Sequence, residues 1–170
     1  MHGQPPVVIE PYDPHWPIKF EAERALLQPA LKPWLAGPIV HIGSTSVRDL
    51  AIKPVIDIMA AVRDLPSSLP AIGALKPHNY CYFPYKADVM HWFCKPSDQE
   101  RTHHLHLIPV DSQLWRDRLA FRDGLRSDMA LRSAYAKLKF ALASAHRDDR
   151  EAYTEAKSEF IQSVLRKVST

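Results

Sequence analysis

Apolar positions along this chain follow two periods, and the change between them falls near residue 111. Between Trp16 and Leu35, the residues Phe20, Ala22, Leu26, Leu27, Ala30 and Leu31 recur at helical spacing, which predicts an N-terminal helix kinked or broken at Pro29. Before it, residues 7–14 are held extended by their prolines, which lack a donor and disfavour helix in the residue before them. Residues 39–42 predict a short strand ending at Gly43. Residues 55–62 are almost continuously apolar, as a strand buried on both faces in the middle of a sheet would be. A helix is predicted over 68–76. Three more strands are predicted over 80–83, 90–94 and 104–110, the last two joined by the polar turn 95–101.

Beyond Asp111 the period is helical to the end. Asp111 or Ser112 can cap a helix to about residue 126, and Ser127 or Asp128 can cap the next. Asp148-Asp149-Arg150-Glu151 can start a last helix, whose Tyr153, Ala156, Phe160, Ile161, Val164, Leu165 and Val168 make one apolar stripe. A helix, a small mixed sheet and three C-terminal helices give an α+β fold. The whole of 1–170 is expected to form one domain, with a sheet part to about 111 and a helical tail after it.

Composition narrows the class without naming a function. Hydrophobic residues make up 46% and charged residues 24%, as in ordinary globular proteins. No apolar run reaches the roughly 18 residues of a membrane span. The start, Met1-His2-Gly3-Gln4-Pro5-Pro6, lacks the cationic and apolar regions of a secretory signal. Cys81 and Cys94 form no C-x-x-C pair, so they read as small core residues of a protein in the reducing cytoplasm. The net charge is +3, and residues 112–150 hold nine Lys or Arg against five Asp. A solvated helical face explains that excess, so a nucleic-acid partner is not inferred from charge.

The candidate chemistry starts at His41-Ile42-Gly43-Ser44-Thr45-Ser46. A strand running into Gly-Ser, with a helix starting there, would present backbone N–H groups and hydroxyls to a phosphate. Asp57 then lies alone among Val55, Ile56, Ile58 and Met59, where a carboxylate is costly unless paired or bound to a metal. In Thr102-His103-His104-Leu105-His106, alternation puts His104 and His106 on one strand face, where they can share a metal or a phosphate. Lys139 and Lys157 interrupt apolar helical stripes, each with a Tyr four residues before it and an apolar residue three after. Such a lysine either snorkels outward or is aimed at an anion. Together these assignments predict that Ser44, Asp57, His104 and His106 open onto one cleft lined by Met59. The helical tail should wall its far side, with Lys139 and Lys157 turned toward Asp57.

Ordered motifs over nearly the whole chain carry a resemblance. They are Pro11-Tyr12-Asp13-Pro14-His15-Trp16-Pro17, His41 to Val47, Lys53-Pro54-Val55-Ile56-Asp57-Ile58, Thr102 to His106, Phe121-Arg122-Asp123, Asp149 to Lys157, and Phe160-Ile161. In these the chain resembles the GrpB family of small bacterial proteins, of the nucleotidyltransferase superfamily with a DNA polymerase β-like fold. The superfamily pattern is strand, Gly-Ser, helix, then a strand bearing two alternate carboxylates, with a third nearby to hold two Mg²⁺ ions. Gly43, Ser44 and Asp57 match it. Met59 stands at the second carboxylate, His104 and His106 where the third is sought, and Arg48-Asp49 where the family usually has Pro-Gly.

The resemblance implies binding of a nucleoside triphosphate and transfer of a nucleotidyl group to a small acceptor. Gly43, Ser44, Thr45, Ser46, Lys53, Lys139 and Lys157 would hold phosphates. Asp57, with His104 and His106, would hold Mg²⁺ or Mn²⁺ or serve as acid and base. Met59 favours the alternative of a module that binds a nucleotide or coenzyme A precursor without chemistry. A third reading is a hydrolase using Asp57, His104 and His106 with Zn²⁺ or Mn²⁺.

Overall fold

A computed structural model describes residues 8–50 and 53–168. The secretory-signal reading of Met1 to Pro6 and the first residue of the extended segment, Val7, lie outside them. Five strands, β1 (Leu35–Ile42), β2 (Ile56–Val62), β3 (Cys81–Phe83), β4 (His91–Pro96) and β5 (Arg101–Pro109), form one sheet in the order β1-β2-β5-β4-β3. Only the β2–β5 pair is parallel, so the sheet is mixed, as expected.

The apolar run of β2 has the predicted cause, because both its faces are covered. Ile56, Ile58, Ala60 and Val62 face Phe20, Leu27 and Leu31 of α1 (Trp16–Leu31). Met59 and Ala61 point the other way, into a cluster with Ile42, Trp92, Ile108 and Trp115. Trp115 belongs to α4 (Gln113–Ser127), which Ser112 caps by accepting from the Trp115 N–H at 3.2 Å. Asp128 caps α5 (Met129–Ala145) through Leu131, and Asp149 caps α6 (Arg150–Ala156) through Ala152. Leu125, Tyr135 and Phe160 close around Val47 and Leu50, which fastens the helical tail to the loop after β1.

Several elements differ from expectation. The first helix runs through Pro29 and stops at Leu31, where Pro33 removes the donor that would bond back to the Pro29 carbonyl. β1 starts at Leu35, and its register slips between Leu35 and Ile39, around Pro38 on this edge strand. The helix expected over 68–76 is two single turns, α2 (Leu65–Ser68) and α3 (Ala71–Ala74), because Pro70 has no N–H for the Pro66 carbonyl. The last helix is broken at Lys157 into α6 and α7 (Ser158–Val168), so the tail holds four helices. Among the described residues no helix is long and apolar enough to cross a membrane.

Candidate functional site

β2 and β5 run parallel and in register, with Asp57 beside His104 and Met59 beside His106. That pairing brings both imidazoles to one carboxylate oxygen, Oδ1 of Asp57, with His104 Nδ1 at 3.0 Å and His106 Nε2 at 3.6 Å. Arg118 of α4 settles the tautomer of His106. Its Nη1 lies 2.8 Å from His106 Nδ1, and a guanidinium only donates, so the ring proton is on Nε2, facing Asp57. His104 donates from Nδ1 to Asp57, which leaves its Nε2 with a lone pair. That atom is buried and has no partner among the described residues.

Burial alone would raise the Asp57 carboxyl, but the hydrogen bonds and charges of His104 and His106 hold it well below the carboxylate range. Burial lowers both histidines, and Arg118 takes His106 down to about 4. Near neutral pH the group is therefore one carboxylate between two neutral imidazoles.

Gly43 makes this arrangement possible. Its φ of 73° and ψ of −176° suit glycine almost alone, and a Cβ there would run into Asp57, 2.9 Å from its Cβ. The following residues form one 3₁₀ turn, Ser44–Ser46, where a helix was expected. Thr45 is bound inward, to His41 Nε2 at 2.8 Å and the Val55 carbonyl at 3.2 Å. The Ser46 hydroxyl donates to the Gly43 carbonyl. Both hydroxyls are thus committed to the turn. The Ser44 carbonyl accepts from the Val47 N–H at 3.2 Å, and its hydroxyl takes no part in these bonds.

Three lysines lie within electrostatic reach of Asp57. Lys53 precedes β2, Lys139 lies on α5 and Lys157 at the α6–α7 break. The Tyr153 ring lies beneath two of them, with Lys157 Nζ at 4.6 Å and Lys53 Nζ at 5.9 Å from its centroid. Lys139 Nζ lies 5.2 Å from the Tyr135 ring and its side chain is fully buried. Burial, then the charge of Lys157, lowers Lys53 to about 7. Burial takes Lys157 to about 8, against the pull of Asp57. Lys139 is lowered well below the ordinary lysine value by burial and by both other amines. Two more buried polar atoms have no partner among the described residues, the Tyr153 hydroxyl and Arg150 Nη1.

Of the residues expected on one cleft, Asp57, His104 and His106 meet directly, with Gly43 against the carboxylate and the Lys139 and Lys157 amines near enough to feel its charge. Two expectations need correction. Met59 lines no open cleft but is fully buried in the apolar cluster below Asp57. Thr45 and Ser46 spend their hydroxyls on bonds that hold the turn together instead of presenting them beside Asp57. Sequence reasoning missed Arg118, Arg150 and Tyr153. Only Tyr153 had a signal, a polar tip at the head of the last apolar stripe.

The donor set does not fit a divalent metal. Both histidines direct their N–H at the same Asp57 oxygen, Arg118 occupies His106 Nδ1, and Met59 has no oxygen to offer. Among the described residues no group of three or more His, Cys, Asp or Glu side chains is placed to hold a metal ion. Neighbouring lysines make the surroundings suited to an anion.

Comparison with known proteins agrees with the fold. The sequence model of the GrpB protein family matches residues 6–167. A UPF0157 protein of Pseudomonas aeruginosa is 34% identical over 94% of this chain and 66% of its own length. The UPF0157 protein YqkA of Bacillus subtilis is 30% identical over 89% of this chain but only 44% of its own, so the chain spans less than two thirds of either relative. The glutamate-rich protein GrpB of Alkalihalophilus pseudofirmus is 27% identical over 94% of both. The crystal structure of conserved protein GrpB from Enterococcus faecalis superposes with a TM-score of 0.85 at 32% identity, over 95% of this chain and 96% of that one. A shared fold and a match along almost all of its length make this chain a member of the GrpB family.

Proposed function

We propose that the Asp57 site binds the phosphates of a small phosphorylated molecule of the nucleoside triphosphate class. One observation carries the reading: Lys53, Lys139 and Lys157 lie within electrostatic reach of a single carboxylate and of one another, and the buried Tyr153 hydroxyl and an Arg150 nitrogen have no partner among the described residues. Amines that repel one another in the free protein are stabilised by an anion between them, and unpaired buried donors gain an acceptor. The nucleotide class comes from the superfamily resemblance of Gly43, Ser44 and Asp57.

His104 favours transfer as a second reading. Its Nε2 lone pair is unpaired and Asp57 supports the opposite ring nitrogen. In transfer, an acceptor hydroxyl at Nε2 would give it the proton while its oxygen attacks the α-phosphorus, and the bond to pyrophosphate breaks. The buried Met59 favours binding without chemistry, so binding is the primary reading.

Calorimetry with the four common nucleoside triphosphates separates the outcomes, run beside a pyrophosphate-release assay with pooled small alcohols and amines. Binding of intact nucleotide that Lys157→Met weakens at least tenfold supports the primary reading, and pyrophosphate release that His104→Gln abolishes supports transfer. No heat and no release with any nucleotide would sink both.

A further inference from the structure

Two hollows on the described surface lie away from Asp57. Two adjoining depressions of about 480 and 450 Å³ share Pro17, Ser46 and Arg126 and form one groove, on the far side of the Gly43–Ser46 turn. Strand alternation separates the two places. Ile42 packs on the face that carries Asp57, whereas His41 stacks on Phe20 of α1, with ring centroids 4.7 Å apart.

Arginine dominates the groove. Arg24, Arg122 and Arg126 line the first hollow, and Arg48, Arg126 and Arg132 the second, against Glu21, Asp49 and an Asp123 that accepts from Arg122 Nε at 2.9 Å. Three of these side chains are already held by the backbone. Arg122 Nη1 donates to the His41 carbonyl at 3.1 Å, Arg126 Nε to the Ser46 carbonyl at 3.0 Å, and Arg132 Nη1 to the Arg126 carbonyl at 2.8 Å. Each such bond uses one or two of the five N–H donors and fixes the guanidinium plane. The ordering entropy that weakens most arginine–anion contacts has thus been met before any ligand arrives. Opposite the arginines the wall is apolar, made by Pro17, Phe20 and Ile39. Either hollow has the volume of a small-molecule site.

We propose that this groove is a second ligand site, for a small organic anion whose carboxylate or phosphate meets Arg122 and Arg126 while its apolar body lies on Phe20 and Pro17. Ser46 lines both hollows, but Asp57, His104, His106, Lys53, Lys139 and Lys157 line neither, so this does not depend on what Asp57 binds. The same two arginines grip the carbonyls of His41 and Ser46 at either end of the turn that sets Gly43 against Asp57.

Benzoate and phenyl phosphate, which share an apolar ring and differ in the anionic group, are the probes, followed by amide chemical shifts of the intact protein. Saturable shifts at Phe20, His41, Ser46 and Arg126 are expected with at least one probe, and the probe that binds more tightly identifies the anionic group. Arg126→Gln should weaken binding about tenfold, a loss of about 1.4 kcal/mol. Because Arg126 also holds a backbone carbonyl, Arg24→Gln is the companion variant; its internal bonds are an exposed pair with Glu21, and it should weaken binding severalfold without unfolding. Three results overturn the proposal: no groove shifts at about 20 mM probe, far above the ~1 mM dissociation constant of even a weak site; shifts confined to Lys53, Asp57 and Tyr153; or groove shifts that both variants leave unchanged.

Discussion

Lys53 and Lys157 carry a signature that can be read without any ligand. Burial, with the neighbouring amines, takes Lys53 from 10.5 to about 7, and burial takes Lys157 from 10.5 to about 8. Both folded values lie below the unfolded one, so above them the unfolded chain binds more protons than the folded protein. Stability of the free protein should therefore rise with pH from about 7 to about 9.5, just short of the ordinary tyrosine and lysine range. Urea midpoints across that range measure the slope. Lys157→Met should flatten it and stabilise the free protein by about 1 kcal/mol, as removal of a functional but strained group does; a destabilised variant would make Lys157 a structural residue. Gly43→Ala should act in the opposite sense and cost about 2–3 kcal/mol, since its backbone angles are nearly exclusive to glycine and its Cβ would displace Asp57. A urea midpoint unchanged by that substitution would remove Gly43 from the account of the site.

At the scale of elements, α6 is where sequence and site meet. Asp149 accepts from the Ala152 N–H at 3.0 Å and starts the seven-residue helix that delivers Arg150 and Tyr153 to the lysines. Asp149→Ala should cost about 1 kcal/mol and, by fraying this helix, weaken nucleotide binding severalfold in the same calorimetric assay. The caps at Ser112, Asp128 and Asp149 were legible because a cap is a bond between neighbours in the chain. The break at Lys157 was not, since Tyr153, Phe160 and Val164 continue one stripe in sequence. It divides because Tyr153 turns to the lysines while Phe160 stacks on Tyr135 at 5.3 Å. Proline decided the weaker segments in the same local way. Pro33 and Pro70 each lack the one donor on which a longer helix would depend.

The whole molecule is tied across the opposite face of the sheet by a carboxylate that no pattern marked. Glu23, buried on the apolar side of α1, accepts from the Tyr80 hydroxyl at 2.6 Å and from Lys95 Nζ at 2.7 Å, with His103 Nε2 at 3.7 Å. It joins α1 to β4, β5 and the start of β3. Glu23→Ala would leave a buried ammonium and a phenol unpaired and should cost about 3 kcal/mol in chemical denaturation; a loss below about 0.5 kcal/mol would show the pair to be no more than a surface one. The chain by itself determined the α+β class, all five strands, the helix caps and the residues Gly43, Asp57, His104 and His106, because periodicity, capping and a lone carboxylate in an apolar strand are local signals. It also marked Lys139 and Lys157 as misplaced. Tertiary structure decided what those residues amount to. The parallel register of β2 on β5 turned a His-x-His into a clamp on Asp57, and Arg118, far along the chain, assigned the tautomer of His106. Packing of the tail brought the amines of Lys53, Lys139 and Lys157 close enough to lower one another's proton affinity, and the fold of the β1 turn set fixed arginines behind them. Each of those outcomes depends on pairs of residues distant in sequence, and a one-dimensional pattern holds no record of such pairs.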